Sequence, residues 1–160
     1  MLTQEQVKEL FYYFDGSLFY RHKGLRTKIG QLVGHENGNG YKRVDVNGKK
    51  QYVHRLIWVY FYGDIGDKFV DHIDCNRQNN NIQNLRLVDR SLNGLNRAKA
   101  RKDSTSGLIG VSSGKTKKGT LQFTAKLVIK GQTIYQKNFK TAEDAHKAYI
   151  EQKNKQGILP

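Results

Sequence analysis

One cysteine (Cys75) and one proline (Pro160) are all that this 160-residue chain has of either. A single cysteine excludes an internal disulfide and any zinc clip built on paired cysteines. It points to a reducing, intracellular setting, which we take as cytoplasmic. A proline confined to the last position excludes a proline-rich linker. Acidic residues are scarce as well: 14 Asp plus Glu stand against 28 Lys plus Arg, for a formal charge of +14. No long hydrophobic run is present either. The longest, Leu56 to Tyr62, is too short to span a bilayer, and no signal-peptide pattern precedes the first polar residues, so no membrane is expected as a partner. What is abundant is positive charge. Such an excess attracts a polyanion, and nucleic acid is the natural candidate. The length allows one ordinary domain or two very small ones.

Turn chemistry divides the chain. Thr3 with Gln6 three residues on predicts a capped helix running from Thr3 to Tyr13. Asp15-Gly16 between aromatic runs predicts a tight hairpin, and Asn47-Gly48 between Tyr41–Val46 and Lys49–Val53 predicts a second. His54 to Tyr62 reads as a helix ended by Gly63, with Leu56, Trp58, Val59 and Phe61 in the core and His54 as a helix-start or core histidine. Phe69 to Ile73 and Leu85 to Val88 read as strands around a polar loop, followed by a helix capped by Asp89 or Ser91. Residues 98–107 are basic, small and turn-prone, as a linker would be. Beyond them, strands are predicted at Leu108–Ser113, Leu121–Ile129 and Thr133–Phe139, with a basic turn at Gly114–Gly119 and a tight one at Lys130-Gly131. Thr141 then caps a helix with an apolar stripe of Ala142, Ala145, Ala148 and Tyr149.

The stretch VDHIDCNRQNNNIQNLRLVDRSLNGLN, Val70 to Asn96, concentrates the chemistry. Phosphodiester cleavage needs a deprotonated water, charge stabilisation on the phosphate and help for the departing 3′ oxygen, and one hard cation with open sites serves the last two needs. Asp71 offers a carboxylate and Asn93 an amide carbonyl, oxygen ligands suited to Mg²⁺ or Mn²⁺. His72 is a candidate general base, because neutral imidazole is in general well populated near pH 7. Adjacent strand residues point to opposite faces, so Asp71 and His72 converge only if the strand ends or bulges between them. Asn93, Asn96 and Arg97 share a face if the helix continues, which places Arg97 against a phosphate. Asp74 competes for a metal role; a loop brace or a turn is the reading we favour. Asn79, Asn80 and Asn81 read as loop formers, and Cys75 as a small loop residue.

These residues resemble the HNH (ββα-metal) nuclease motif, in the variant of phage and intron homing endonucleases. The resemblance covers roughly residues 41–97. It implies that His72 is the base, that Asp71 and Asn93 bind the metal, and that Asn84 in Gln-Asn-Leu-Arg braces the loop around the histidine. His54-Arg55 matches a dipeptide common upstream in this variant. The C-terminal stretch, through Gly110-Val111, Phe123–Ala125, Lys130-Gly131, Phe139, Thr141–Glu143 and Ala148-Tyr149, resembles the APETALA-type DNA-binding domain. In that family a three-stranded sheet enters the major groove. The resemblance implies contacts from Lys115, Lys117, Lys118, Gln122, Thr124 and Lys126, with Phe123 where Trp is usual and few Arg to read guanine.

The expected fold is α+β: a ββα-metal nuclease domain followed by a small three-stranded antiparallel sheet packed on one helix. The expected division is 1–100 for the nuclease, with its motif at 70–97, then 101–107 as linker and 108–160 as the DNA-binding domain. The expected activity is metal-dependent hydrolysis of double-stranded DNA by a phage- or mobile-element-encoded, homing-type enzyme. One motif copy implies nicking by a monomer, with a dimer needed for double-strand cleavage. The rival readings are a non-catalytic DNA-binding regulator and an RNA-binding or RNA-cleaving protein; no aromatic RNP motif or GXXG loop supports the second.

Overall fold

The computed structural model describes residues 2–96, 99–100 and 102–158. The chain forms an α+β structure in two compact units, Met1–Asp89 and Arg90–Pro160. Among the described residues no helix is long and apolar enough to cross a membrane.

The first unit opens on helix α1 (Gln4–Leu10), where both capping-box bonds form: Gln6 N–H donates to Thr3 Oγ1, and Thr3 N–H to Gln6 Oε1. The helix stops at Leu10, short of the expected Tyr13, because the aromatic run Phe11–Phe14 pairs as strand β1 with β2 (Ser17–Tyr20). Asp15 and Gly16 take positive φ of 42° and 71°, as the primed hairpin turn requires. A Cβ on Gly16 would also lie 3.1 Å from Asn81 N, so the turn sits flush against the polar loop described below.

Strands β3 (His35–Asn37), β4 (Tyr41–Val46) and β5 (Lys49–Tyr52) form one sheet in that order. Helix α2 (Val53–Tyr62) follows directly and buries Val53, His54, Leu56, Ile57 and Val59 on one stripe. Phe61, expected in the core, is exposed enough to lie at its margin, edge-on to Tyr13 at 4.9 Å. Gly63 ends the helix at φ 83°, and Gln4 Nε2 donates to the Tyr60 and Phe61 carbonyls at its C-terminus. Strands β6 (Phe69–His72) and β7 (Leu85–Val88) make an antiparallel pair. Val7, Phe11, Leu18, Val33, Val53, Leu56 and Ile57 join Val70 and Leu85 in one core, so the β6–β7 pair rests on the same apolar support as both hairpins.

The second unit begins with a helix of four residues, α3 (Arg90–Asn93), turned off at Gly94, whose N–H donates to Arg90 O. The longer helix expected to align Asn93, Asn96 and Arg97 does not form: Asn96 lies beyond its end, and Arg97 falls outside the described residues. Strands β8 (Val111–Lys115), β9 (Leu121–Ile129) and β10 (Gln132–Phe139) form a sheet with β9 in the centre. The first of them starts three residues later than predicted, because the preceding segment bonds across to it. Ser106 Oγ donates to Val111 O at 2.7 Å, and Ser113 N–H donates to Thr105 Oγ1 at 3.1 Å. Helix α4 (Ala142–Lys155) packs Ala145 and Tyr149 against Val111, Ala125 and Leu127. Gly110 (φ 74°) is required here, since a Cβ would come within 2.2 Å of the Tyr149 ring.

Candidate active site

The β6–β7 connection, residues 73–84, is held in shape by backbone turns and by a network of its own polar side chains. Asn84 ends a single turn of 3-10 helix (Ile82–Asn84) and reaches back across the loop. Its amide donates to Asp74 Oδ1 at 2.9 Å and to Asn79 O at 2.8 Å, while its Oδ1 accepts from Asp74 N–H at 3.1 Å. Asp74 accepts further bonds from Asn76 N–H and Asn79 Nδ2, both at 2.8 Å. Burial would raise the Asp74 carboxyl, but the bonds from Asn79, Asn76 and Asn84, with His72 nearby, outweigh it and hold the group below the usual carboxylate range. Asp74 is therefore engaged as the loop brace favoured from sequence. Two outward bonds tie the loop to the β3–β4 turn, from Arg77 to Asn39 O at 2.8 Å and from Gln78 to Gly40 O at 2.7 Å.

His72 is the last residue of β6 and is only 3% exposed. Its Nε2 lies 2.9 Å from Oδ1 of Asn80, which is itself buried. One side of the imidazole faces an aromatic wall: His54 at 5.0 Å and Tyr41 at 6.0 Å between ring centroids. Tyr41 also packs on His54 at 5.2 Å, and the Arg77 guanidinium lies over the Tyr41 ring at 4.7 Å. Burial, then His72 and Arg55, push His54 down to about 3, so it is a neutral ring at any physiological pH.

Asp71 precedes His72 without a bulge, in register with Arg86. The two conditions for convergence, a strand end or a bulge between Asp71 and His72, are not met. Asp71 Oδ2 accepts from Arg86 Nε at 3.2 Å and pairs with its terminal nitrogen at 3.2 Å, whereas His72 turns to Asn80 and the aromatic wall. Asn93 is the half-buried last residue of α3, in the second unit. Among the described residues no group of three or more His, Cys, Asp or Glu is placed to hold a metal ion.

A family model described as HNH endonuclease matches residues 51–95. This stretch is an HNH nuclease domain. The chain is therefore a hydrolase that cleaves DNA, and HNH nucleases typically work with a divalent metal ion. The HNH segment starts in β5, takes in α2 and the whole β6–β7 hairpin, and ends just past α3. His54, His72, Asn80 and Asn84 all lie inside it. A search of curated proteins and a search of solved structures each found no match.

Sequence reading missed Asn80 as a partner of His72. It stands in a run of three asparagines, and only burial separates it from its neighbours. His54 was read as structural, and its burial agrees, but its contact with His72 was not foreseen; the signal available was its place at a helix start just after an aromatic strand end. Outside the HNH segment, the register puts Gln122, Thr124 and Lys126 on one face of the second-unit sheet, opposite the buried Ala125 and Leu127. Gln136 and Asn138 of β10 share that face, and Thr124 donates to Asn138 Oδ1 at 2.8 Å. Lys117 and Lys118 are exposed in the β8–β9 turn. Lys115 is exposed too, but its register with Leu121 gives it the parity of the helix-covered face. A cavity of about 580 Å³, lined by Leu108, Ile109, Val128 and Tyr149 among others, lies wholly in the second unit and holds none of the expected catalytic residues.

Proposed function

We propose that the chain is a homing-type endonuclease that nicks duplex DNA, with His72 as the general base. The observation that carries this reading is the His72–Asn80 bond inside the cross-braced loop. When Asn80 Oδ1 accepts the proton on Nε2, the neutral ring keeps its lone pair on Nδ1. That nitrogen takes the proton from the attacking water. A new P–O bond forms, the P–O3′ bond breaks, the departing 3′ oxygen takes a proton from solvent water, and the products carry a 5′ phosphate and a 3′ hydroxyl.

Asp71, on the opposite face of β6 from His72, and Asn93 are the proposed ligands for Mg²⁺ or Mn²⁺, which when bound would supply charge stabilisation on the phosphate and on the departing oxygen. Their donor chemistry fits, since both offer hard oxygen atoms. Arg86 holds the Asp71 carboxylate in a fixed orientation through the paired bonds to Oδ2. Asn84 holds the loop that carries Asn80, and so acts on His72 at one remove.

The second unit supplies, in this reading, an APETALA-type contact with the duplex through Gln122, Thr124, Lys126 and the turn lysines Lys117 and Lys118. Lys115 reaches phosphate from the strand end, and Arg97 remains a proposed phosphate contact. The proposed domain division stays at residues 101–107. The active species is a monomer in the cytoplasm of a phage-infected cell or of a host to a mobile element.

The test is relaxation of supercoiled plasmid with Mg²⁺, with EDTA and with His72→Ala. Open circle that needs both the metal and His72, without linear DNA appearing in step, supports the reading. Cutting by His72→Ala at the parent rate would place the base elsewhere.

A further inference from the structure

The segment between β2 and β3 plays no part in the chemistry above, yet it is among the most basic stretches of the nuclease unit. From Gly16 to His35 there is no acidic residue, while Arg21, His22, Lys23, Arg26 and Lys28 crowd into residues 21–28. The excursion is not loose. Its base is pinned by Tyr20 N–H to Gln31 O at 3.0 Å, Gly30 N–H to Tyr20 O at 2.8 Å and Val33 N–H to Leu18 O at 2.8 Å. Arg21 anchors it further, donating from Nε to Phe11 O at 2.9 Å. At the tip, Gly24 N–H donates to Thr27 O at 3.1 Å and closes a turn around Leu25 and Arg26. Leu25 is fully exposed on that turn, and Ile29 is largely exposed behind it.

Single exposed apolar residues are ordinary. An apolar side chain at the apex of a pinned basic turn is a more particular arrangement, because the cations bring it against a polyanion. We propose that the loop of residues 21–32 is a second DNA contact of the nuclease domain, with Leu25 as a wedge between base pairs in the minor groove. Apolar wedges of this kind partly unstack a base step and kink the duplex. Lys23, Arg26 and Lys28 hold the flanking phosphates. The other partner with matching chemistry is an anionic membrane surface; the DNA-cleaving activity of the same unit favours the duplex. The position agrees. The hairpin turn at Gly16 abuts Asn81 of the catalytic loop, and the excursion leaves the far end of β2, roughly 13 Å away at strand rise. That is about four base-pair steps of B-DNA. The inference rests on DNA as the substrate and is independent of which residues bind metal.

The experiment uses the full chain in EDTA, so that binding is read without cutting. A short random-sequence duplex carries a donor and an acceptor dye at its ends, and affinity is followed across salt concentrations. Wild type should raise energy transfer on binding. Leu25→Ala should lose more than half of that rise with its salt slope unchanged, and Leu25→Met should keep it. Replacing Lys23, Arg26 and Lys28 together by Gln should reduce the salt slope by about 2.7. A bend unchanged in Leu25→Ala, or a wild-type slope in the triple variant, would overturn the proposal. So would normal duplex binding by the variants with lost binding to phosphatidylserine vesicles, which would make the loop a membrane contact. Failure of the wild type to bind duplex would overturn the DNA reading itself; intact binding without a Leu25-dependent bend overturns the wedge alone.

Discussion

The β6–β7 loop and the outer face of the second-unit sheet are both rich in uncharged polar side chains, and they use them differently. Between His72 and Asn84 most of these groups are spent within the loop or on the adjoining turn: Asn84 on Asp74 and Asn79, Asn79 on Asp74, Asn80 on His72, Gln78 on Gly40. On the sheet, Gln122, Thr124, Lys126, Gln136 and Asn138 stand on the side away from the core. The first arrangement fixes the position of one ring. The second leaves most of its groups on the surface, with Thr124 bonded to Asn138. Substitutions in the loop should therefore cost rate and stability together, and substitutions on the sheet should cost binding alone.

The largest effect that tests this contrast is His72→Ala, expected to lower single-turnover nicking by about 10²–10⁴-fold with little change in duplex affinity. Asn84→Ala removes three bonds and should reduce unfolding free energy by about 2 kcal/mol and the nicking rate by about 10²-fold, as displaced catalytic groups do. Loss of rate without loss of stability, read by denaturant titration, would mean that Asn84 acts on substrate directly. Asn80→Ala strands Nε2 of a buried ring and should cost about 1–3 kcal/mol. Its sharper signature is the imidazole tautomer, read by nitrogen NMR, which should shift from a single Nε2–H form to a mixture. An unchanged tautomer would leave Asn80 a packing residue.

Acid should touch the loop region before the sheet. His54 is held near 3 in the folded chain against about 6.5 for an unperturbed histidine. The unfolded chain thus takes up a proton that the folded chain refuses as pH falls below about 6.5. Its contribution is complete above that pH and is lost on the way down to about 3, with a slope of at most about 1.4 kcal/mol per unit. Asp74, also depressed, acts in the same direction but only below the ordinary carboxylate pKa. His54→Gln should flatten the upper part of the acid limb, and a limb of unchanged slope would remove His54 as its cause. The smallest expected effect is on the sheet: Lys126→Gln should reduce the salt slope of duplex binding by about 0.9 with nicking rate at saturation unchanged.

Much of this fold was legible where local chemistry settles it. Thr3 and Gln6 announced the first helix. Asp15-Gly16, Asn47-Gly48 and Lys130-Gly131 announced hairpins whose positive φ values now account for them. The short edge strand His35–Asn37 left no comparable trace, since a strand of three residues has too little alternation to show. The helix expected through Arg97 was stopped by Gly94, and propensity yielded to turn geometry there. In the β6–β7 loop, the bracing position of Asn84 was readable because its spacing is carried by the chain itself. Asn80 was not, because three identical neighbours differ only in which one the loop turns inward. The pairing of Asp71 with Arg86 likewise depends on a register between strands that no local pattern encodes.

Part of the bracing of the β6–β7 loop is done by neutral amides, as in the bonds of Asn84 to Asn79 O and of Gln78 to Gly40 O. Screening by added salt weakens charge pairs at the surface and displaces protein from phosphate, but it leaves amide-to-carbonyl bonds nearly untouched. The nuclease should accordingly let go of its substrate in brine long before this loop loses its shape. A protein inactivated by salt would regain full activity on simple dilution, with no refolding step to wait for.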